Sequence, residues 1–198
     1  MIIYGMGEES ILQLAKLLDK GVPLKQITDL KQSVIKRDKE LIPVLLKNRR
    51  YVQLHSHENC LAEKEKFAEN FARIELTSNL MHPDVLIQEC DHEFVLVNPP
   101  MPLLSENELD SYYDLPYTRK PHPRYRKKKA IPAYEMIRHS VNMHRGCFGG
   151  CSFCTISAHQ GKFVQSRSEK SILREVEEVT LMDDFKGHIS DMGGPSAN

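Results

Sequence analysis

Three cysteines fall within eight residues, Cys147-Phe-Gly-Gly-Cys151-Ser-Phe-Cys154. A Cys-x3-Cys-x2-Cys run commits its stretch of chain to a tight loop. Gly149 and Gly150 suit that folding back, because glycine tolerates positive φ. Thiolate is a soft donor that matches iron–sulfur clusters. A cubane 4Fe–4S cluster usually takes four thiolates. Three leave one iron without a protein ligand, free to take a substrate or cofactor as a catalytic zinc does at its free position. The rival is a zinc site built on Cys151, Cys154 and His159, with its remaining ligand from elsewhere. A disulfide is not expected: nothing resembles a secretory signal peptide, and cytosolic thiols are kept reduced. Cys60 and Cys90 stand alone and read as small buried hydrophobes.

The 198 residues suggest one or two domains. With 27 basic and 27 acidic residues, no global field draws the chain to nucleic acid or an anionic membrane. A hydrophobic fraction of 40% suffices for a core. No apolar run approaches the ~18 residues that cross a bilayer. The expectation is a soluble, cytoplasmic protein with no membrane partner and no call for nucleic acid.

Ile2-Ile3-Tyr4 reads as a short buried strand, and Gly5 to Ser10 as the turn into a helix. Ile11, Leu14, Ala15 and Leu18 recur at helical spacing until Gly21 and Pro23 end the pattern. Ser33–Arg37 and Tyr51–Leu54 are β-rich pieces among charged turns. From Leu61 to Leu76 a helix is expected, with Phe67, Phe71 and Ile74 along one face. Phe94 to Val97 is a buried strand stopped by Pro99 and Pro100, and Ser105 caps a short helix reaching Tyr113. Residues 114–133 form an extended connector rich in proline. Its Arg124, Arg126, Lys127, Lys128 and Lys129 have the charge to grip phosphates, with Tyr125 for stacking, or they form a solvated loop. Val141 and Met143 alternate with Asn142 and His144 as in a strand with one polar face. Ser168 caps the following helix, Glu169 suits its dipole, and Ile172, Val176 and Val179 face a sheet. His188–Met192 is a further strand that Gly193-Gly194 ends.

The cysteine spacing is the pattern of the radical S-adenosylmethionine (SAM) superfamily, and the flanking residues are more specific. Asn98-Pro-Pro, Leu115-Pro-Tyr-Thr-Arg-Lys-Pro-His-Pro-Arg-Tyr125, Ile131-Pro-Ala-Tyr-Glu-Met-Ile137 and Arg145-Gly-Cys-Phe-Gly-Gly-Cys-Ser-Phe-Cys154 closely resemble the YgiQ-type radical SAM proteins. So do Gln165-Ser-Arg-Ser168 and Ile189-Ser-Asp-Met-Gly-Gly-Pro-Ser-Ala-Asn198. The resemblance is dense from Phe94 onward and thinner before it.

The resemblance implies an α/β chain: the end of a Rossmann-like N-terminal domain, then the first β/α units of a partial radical SAM β/α barrel. It divides residues 1–40 as the Rossmann-like remnant, 41–133 as a mixed α/β connector and 134–198 as the start of the barrel. Met1 then looks like an interior start, and Asn198 falls after two strands of a six-unit array. The chain looks like an internal or truncated portion, incomplete for activity by itself. In a β/α barrel the chemistry sits where strands end, and Cys147 follows the first barrel strand at once.

The implied cofactors are a 4Fe–4S cluster on Cys147, Cys151 and Cys154, and SAM, chelated by the open iron and cleaved reductively to a 5′-deoxyadenosyl radical. Phe153 resembles the residue whose backbone meets the adenine of SAM. Gly193 and Gly194 resemble the pair that binds its amino group through backbone atoms, although Pro195 stands where an acidic residue is common. Asp191 assists there or is a structural hydrogen-bonding residue. Arg167 reaches a carboxylate or forms a surface ion pair; His144 and Asn142 point into the barrel or are structural. The partners implied are SAM, a reducing electron donor and a substrate that the residues do not name. The rival from a different class is a non-catalytic zinc-binding or scaffold protein using the same three cysteines.

Overall fold

The computed structural model describes residues 1–125 and 127–195. The chain divides into two units, Met1–Pro102 and Leu103–Asn198. It is a mixed α/β chain, and each unit has its own sheet or sheets.

In the first unit the elements run β1 (Ile2–Ile3), α1 (Glu8–Asp19), β2 (Ser33–Asp38), α2 (Ile42–Leu45), β3 (Tyr51–Gln53), α3 (His57–Ala62), α4 (Lys64–Ser78), β4 (Val85–Cys90) and β5 (Glu93–Val97). Five strands form one sheet in the order β1-β2-β5-β4-β3. β2, β5 and β4 are antiparallel neighbours, and β3 lies parallel to β4. The register places Ile35, Leu96 and Ile87 in one row across three strands. Side chains alternate faces along a strand, so Phe94 and Val85 join that row in a core with Leu46.

A Rossmann-like unit joins its strands in parallel. Here β1 runs antiparallel to β2, and the sheet draws strands from both sides of residue 40. β1 is also an edge strand: Ile2 is 67% exposed, where burial was expected.

Two helices turn their faces unlike the expectation. On α4, Phe67, Phe71 and Ile74 are exposed, and the buried residue is Asn70. The cause is polar. Asn70 donates to the His55 carbonyl (3.0 Å) and to Cys60 Sγ (3.0 Å), and accepts from the His55 amide (2.8 Å). One turn on, Arg73 donates to the Gln53 carbonyl at 2.7 Å. These bonds satisfy backbone groups beyond β3 and turn the apolar stripe outward. On α1 Ile11 and Leu18 are exposed, while Ser10 is buried and donates to the Lys31 carbonyl.

A second polar hub surrounds Asn98, the first residue of the Asn-Pro-Pro motif. Asn98 is fully buried and donates to the Thr28 carbonyl and Ser33 Oγ, both at 3.1 Å. Its side-chain oxygen accepts from Arg49 and its carbonyl from the Tyr4 hydroxyl at 2.7 Å. Burial pushes the Tyr4 pKa up to about 12.

The second unit contains α5 (Glu106–Tyr113), α6 (Pro132–Ile137), β6 (Ser140–Asn142), β7 (His144–Arg145), α7 (Ile156–Gln160), β8 (Gln165–Ser166), α8 (Glu169–Thr180) and β9 (Asp191–Gly193). β6 and β9 are parallel with α8 in the crossover, and β7 pairs antiparallel with β8. Ser105 and Glu108 form a full capping box on α5. Ser168 caps α8 by accepting from the Ser171 amide at 3.1 Å. The same Ser168 hydroxyl and amide donate to the Asp110 carboxylate, which ties α5 to α8. Of the residues expected on the inner face of α8, Val179 is fully buried.

Candidate metal centre

The cysteine loop leaves a strand held from both sides. On one side β6 pairs with β9 in the register Ser140↔Asp191, Val141↔Met192 and Asn142↔Gly193. The Met143 amide extends this pairing by donating to the Gly193 carbonyl at 2.7 Å. On the other side two guanidinium groups take the strand's carbonyls. Arg119 donates to the Ser140 carbonyl (3.3 Å), and Arg167 to that of Asn142 (2.7 Å). Glu175 of α8 bridges both arginines.

Arg167 is therefore a buried anchor and not a surface ion pair. It is 4% exposed, donates twice to the Ser171 hydroxyl and once to its carbonyl, and stacks 4.0 Å from the Tyr113 ring centroid. Burial pushes its pKa down, as it does for Arg119. Arg145 lies 5.3 Å from the same ring, so Tyr113 serves two cations.

After Asn142 the strand changes partner. Met143, which alternates with Asn142 and His144, is 37% exposed, and its carbonyl accepts from the Arg167 amide. His144 and Arg145 then pair with Ser166 and Gln165. Gly146 follows at φ +83°, where a Cβ would run into the Phe163 carbonyl. This position requires glycine on both counts. Of the pair expected to bend the loop, Gly150 takes positive φ (+58°) and Gly149 does not.

Cys147 is buried, and its amide donates to the Gly161 carbonyl at 3.0 Å. The Gly146 amide donates to the Gln160 side chain at 3.2 Å. These bonds close the loop's base. Cys151 is exposed and Cys154 half-buried, joined by a turn in which the Cys154 amide donates to the Cys151 carbonyl. Phe153 is 89% exposed. His159 sits exposed on α7. All five cysteines are free thiols.

Gly193 and Gly194 lie at the end of β9, beside the strand that launches the loop. A Cβ on Gly194 would stand 2.8 Å from His144 Cε1, Nδ1 and carbonyl oxygen, whereas one on Gly193 meets only the Asp191 carboxylate at 3.8–3.9 Å. His144 Nε2 is bonded to the Pro195 carbonyl at 2.5 Å. His144 thus holds the chain just past the glycine pair, a role its spacing did not disclose. Ser196, Ala197 and Asn198 of that motif lie outside the described residues.

One zinc draws its thiolates to within about 4 Å of each other, given a Zn–S bond of ~2.3 Å. Among the described residues the group of three potential ligands within 4.8 Å of one another is one thiol and two carboxylates, Glu58, Cys90 and Asp91, and not the cysteine run. That group is held by the turn after β4, where the Asp91 amide donates to Glu58 at 2.9 Å. Cys90 is accordingly half-buried beside carboxylates. A cubane cluster places each thiolate on its own iron, so it asks for a wider spread. Three soft donors on one loop, with Gly150 at positive φ, are the kind of ligand such a cluster takes.

The model of the radical SAM N-terminal family matches residues 1–140. The chain belongs to that family. The match ends just before the cysteine loop. Among curated proteins, a UPF0313 protein of Porphyromonas gingivalis is 54% identical over 198 residues, spanning 100% of this chain and 31% of that protein. A UPF0313 protein of Bacteroides thetaiotaomicron is 52% identical, with 100% and 33% covered, and one of Geobacter sulfurreducens 43% identical, with 100% and 32% covered. The chain spans about a third of the length of these relatives. No solved structure matches it. No helix among the described residues is long and apolar enough to cross a membrane.

Proposed function

We propose that this chain is the cluster- and SAM-binding portion of a radical SAM enzyme. The observation that carries the reading is the Cys147–Cys154 loop, which follows β7 on the stretch of chain that leaves β6 beside the glycine pair at the end of β9. Cys147, Cys151 and Cys154 supply thiolates to three irons. The exposed positions of Cys151 and Phe153 leave that side of the loop open to a ligand. Gly193 and Gly194 offer backbone groups at a strand end and carry no side chains of their own; Asp191 stands beside Gly193 and His144 against Gly194. When bound, the cluster supplies the electron that cleaves SAM into methionine and a 5′-deoxyadenosyl radical. The Arg119–Glu175–Arg167 network keeps β6, and so the base of the loop, in a fixed place. An electron donor and an organic substrate complete the set of partners.

Anaerobic reconstitution tests this. Iron and sulfide near 4:4 per chain, lost with Cys147→Ala, Cys151→Ala or Cys154→Ala but kept with Cys60→Ala or Cys90→Ala, is the expected result. One zinc per chain, or a cluster that survives loss of Cys151, overturns it in favour of a zinc scaffold. In a full-length relative, SAM is expected to perturb the electron paramagnetic resonance of the reduced cluster.

A further inference from the structure

The densest positive charge in the sequence is not spent on the site described above. Arg124, Arg126, Lys127, Lys128 and Lys129 fall within six residues; Arg126 lies outside the described residues. The other four are exposed, and no ion pair with a carboxylate engages them among the described residues. The cations just before them differ: Lys120 pairs with Asp183 and Arg119 with Glu175.

The chain gathers part of this charge on one ring. Pro123–Tyr125 form a single 3-10 turn, and the Lys128 amide donates back to the Tyr125 carbonyl at 2.9 Å. Arg124 consequently lies 4.7 Å and Lys128 5.3 Å from the Tyr125 ring centroid. Arg124 also donates to the Tyr125 hydroxyl at 2.6 Å. Against the same ring opens a cleft of about 320 Å³, walled by Pro121, Tyr125, Ile131 and Tyr134, with Arg119, Lys120 and His122 also in its lining. Tyr134 is fixed in that wall by its hydroxyl, which donates to the Arg119 carbonyl at 3.1 Å.

Uncompensated cations beside an aromatic and apolar cleft meet two needs at once. The cations match phosphates, and the cleft matches the flat face of an unpaired base. An acidic peptide uses only the first. A duplex keeps its bases stacked inside and uses only the first as well. We propose that the Tyr125 cleft and the cations around it bind single-stranded nucleic acid, with one base in the cleft against Tyr125 or Tyr134 and adjoining phosphates on Arg124, Lys127, Lys128 and Lys129. The chain's net charge of +0 does not oppose this. Charges act over a Debye length of about 8 Å at physiological salt, so the local excess decides.

The test uses the cluster-free chain, so its outcome is independent of the iron–sulfur reading. Fluorescence anisotropy follows labelled oligouridine and oligothymidine of about 12 nucleotides, with duplex of equal length and heparin as competitors. Binding to a single strand is expected, with log K falling against log salt at a slope of about −2 to −3, since four cations each release ~0.7 counterion. Changing Lys127, Lys128 and Lys129 together to Gln is expected to weaken binding at least about tenfold and to flatten that slope. Tyr125→Leu is expected to weaken it about fivefold or more with the slope unchanged, while Tyr125→Phe keeps it. Circular dichroism checks that the variants fold, and the lysine variant alters only exposed groups. Absence of salt-dependent binding overturns the proposal. So does duplex or heparin binding as tight as the single strand together with no effect of Tyr125→Leu.

Discussion

Replacing Arg167 with Met probes the anchor that holds β6. The unbranched Met side chain keeps much of the packing of the Arg stem and removes the guanidinium. Lost with it are the bond to the Asn142 carbonyl, three bonds to Ser171, one partner of Glu175 and the stack on Tyr113. Breaking a buried pair by removing one member costs about 3–5 kcal/mol. Glu175 keeps Arg119, so the lower end applies, about 3 kcal/mol. The chain contains no Trp, which makes hydrogen exchange read by mass spectrometry the better assay. Globally protected amides of α8 and β6 are expected to exchange about 150-fold faster, while β4 and β5 stay unchanged. Glu175→Gln is expected to cost at least as much, because it takes the carboxylate from both the buried Arg167 and the half-buried Arg119. The double variant Arg167→Met, Glu175→Leu is expected to cost less than the two single losses added, by about 1 kcal/mol or more. A change below about 0.5 kcal/mol in Arg167→Met, or strict additivity of the pair, would refute the anchor.

Two further outcomes follow from local geometry. Gly194→Ala is expected to destabilise the β6–β9 end by about 1–3 kcal/mol, because a fixed carbonyl blocks the Cβ, whereas Gly193→Ala is tolerated; thermal melts of the two variants compare them directly. Tyr4 has a folded pKa raised from 10.0 to about 12. Its neutral form is favoured by the fold, so stability is full below pH 10 and declines as pH rises toward 12, by roughly 2–3 kcal/mol in all; urea titrations of Tyr4→Phe across that window are expected to show a shallower decline from a lower starting value.

What the sequence disclosed was chiefly local. Ser105 and Ser168 cap their helices as expected because a cap is a contract between residues three apart. Phe94 and Leu96 are buried as expected because alternation marks a strand with an inner face. Periodicity told which residues of α4 share a face, but not what lies against that face. Asn70 and Arg73 decided that through bonds to distant backbone. Whether Arg167 reaches a carboxylate or forms a surface ion pair stayed open for the same reason: its partners Asn142 and Glu175 are 25 and 8 residues away. The need for glycine at Gly146 depends on Phe163, across a β7–β8 pairing that no local pattern announces. The cysteine run was legible in its spacing and donors, while the strand pairing that sets Gly193 beside Asn142 was not.

The arginines on β6 also give its sheet a direction. Carbonyls of Ser140 and Asn142, which face away from β9, already accept guanidinium groups. A newcomer strand arriving on that flank would find its acceptors taken and a charged bridge in its path. The flank of β9 has no such stopper among the described residues. The β6 edge of this sheet therefore behaves like the blocked terminus of a polymer: stray edge-to-edge pairing through β6 is shut out from the start.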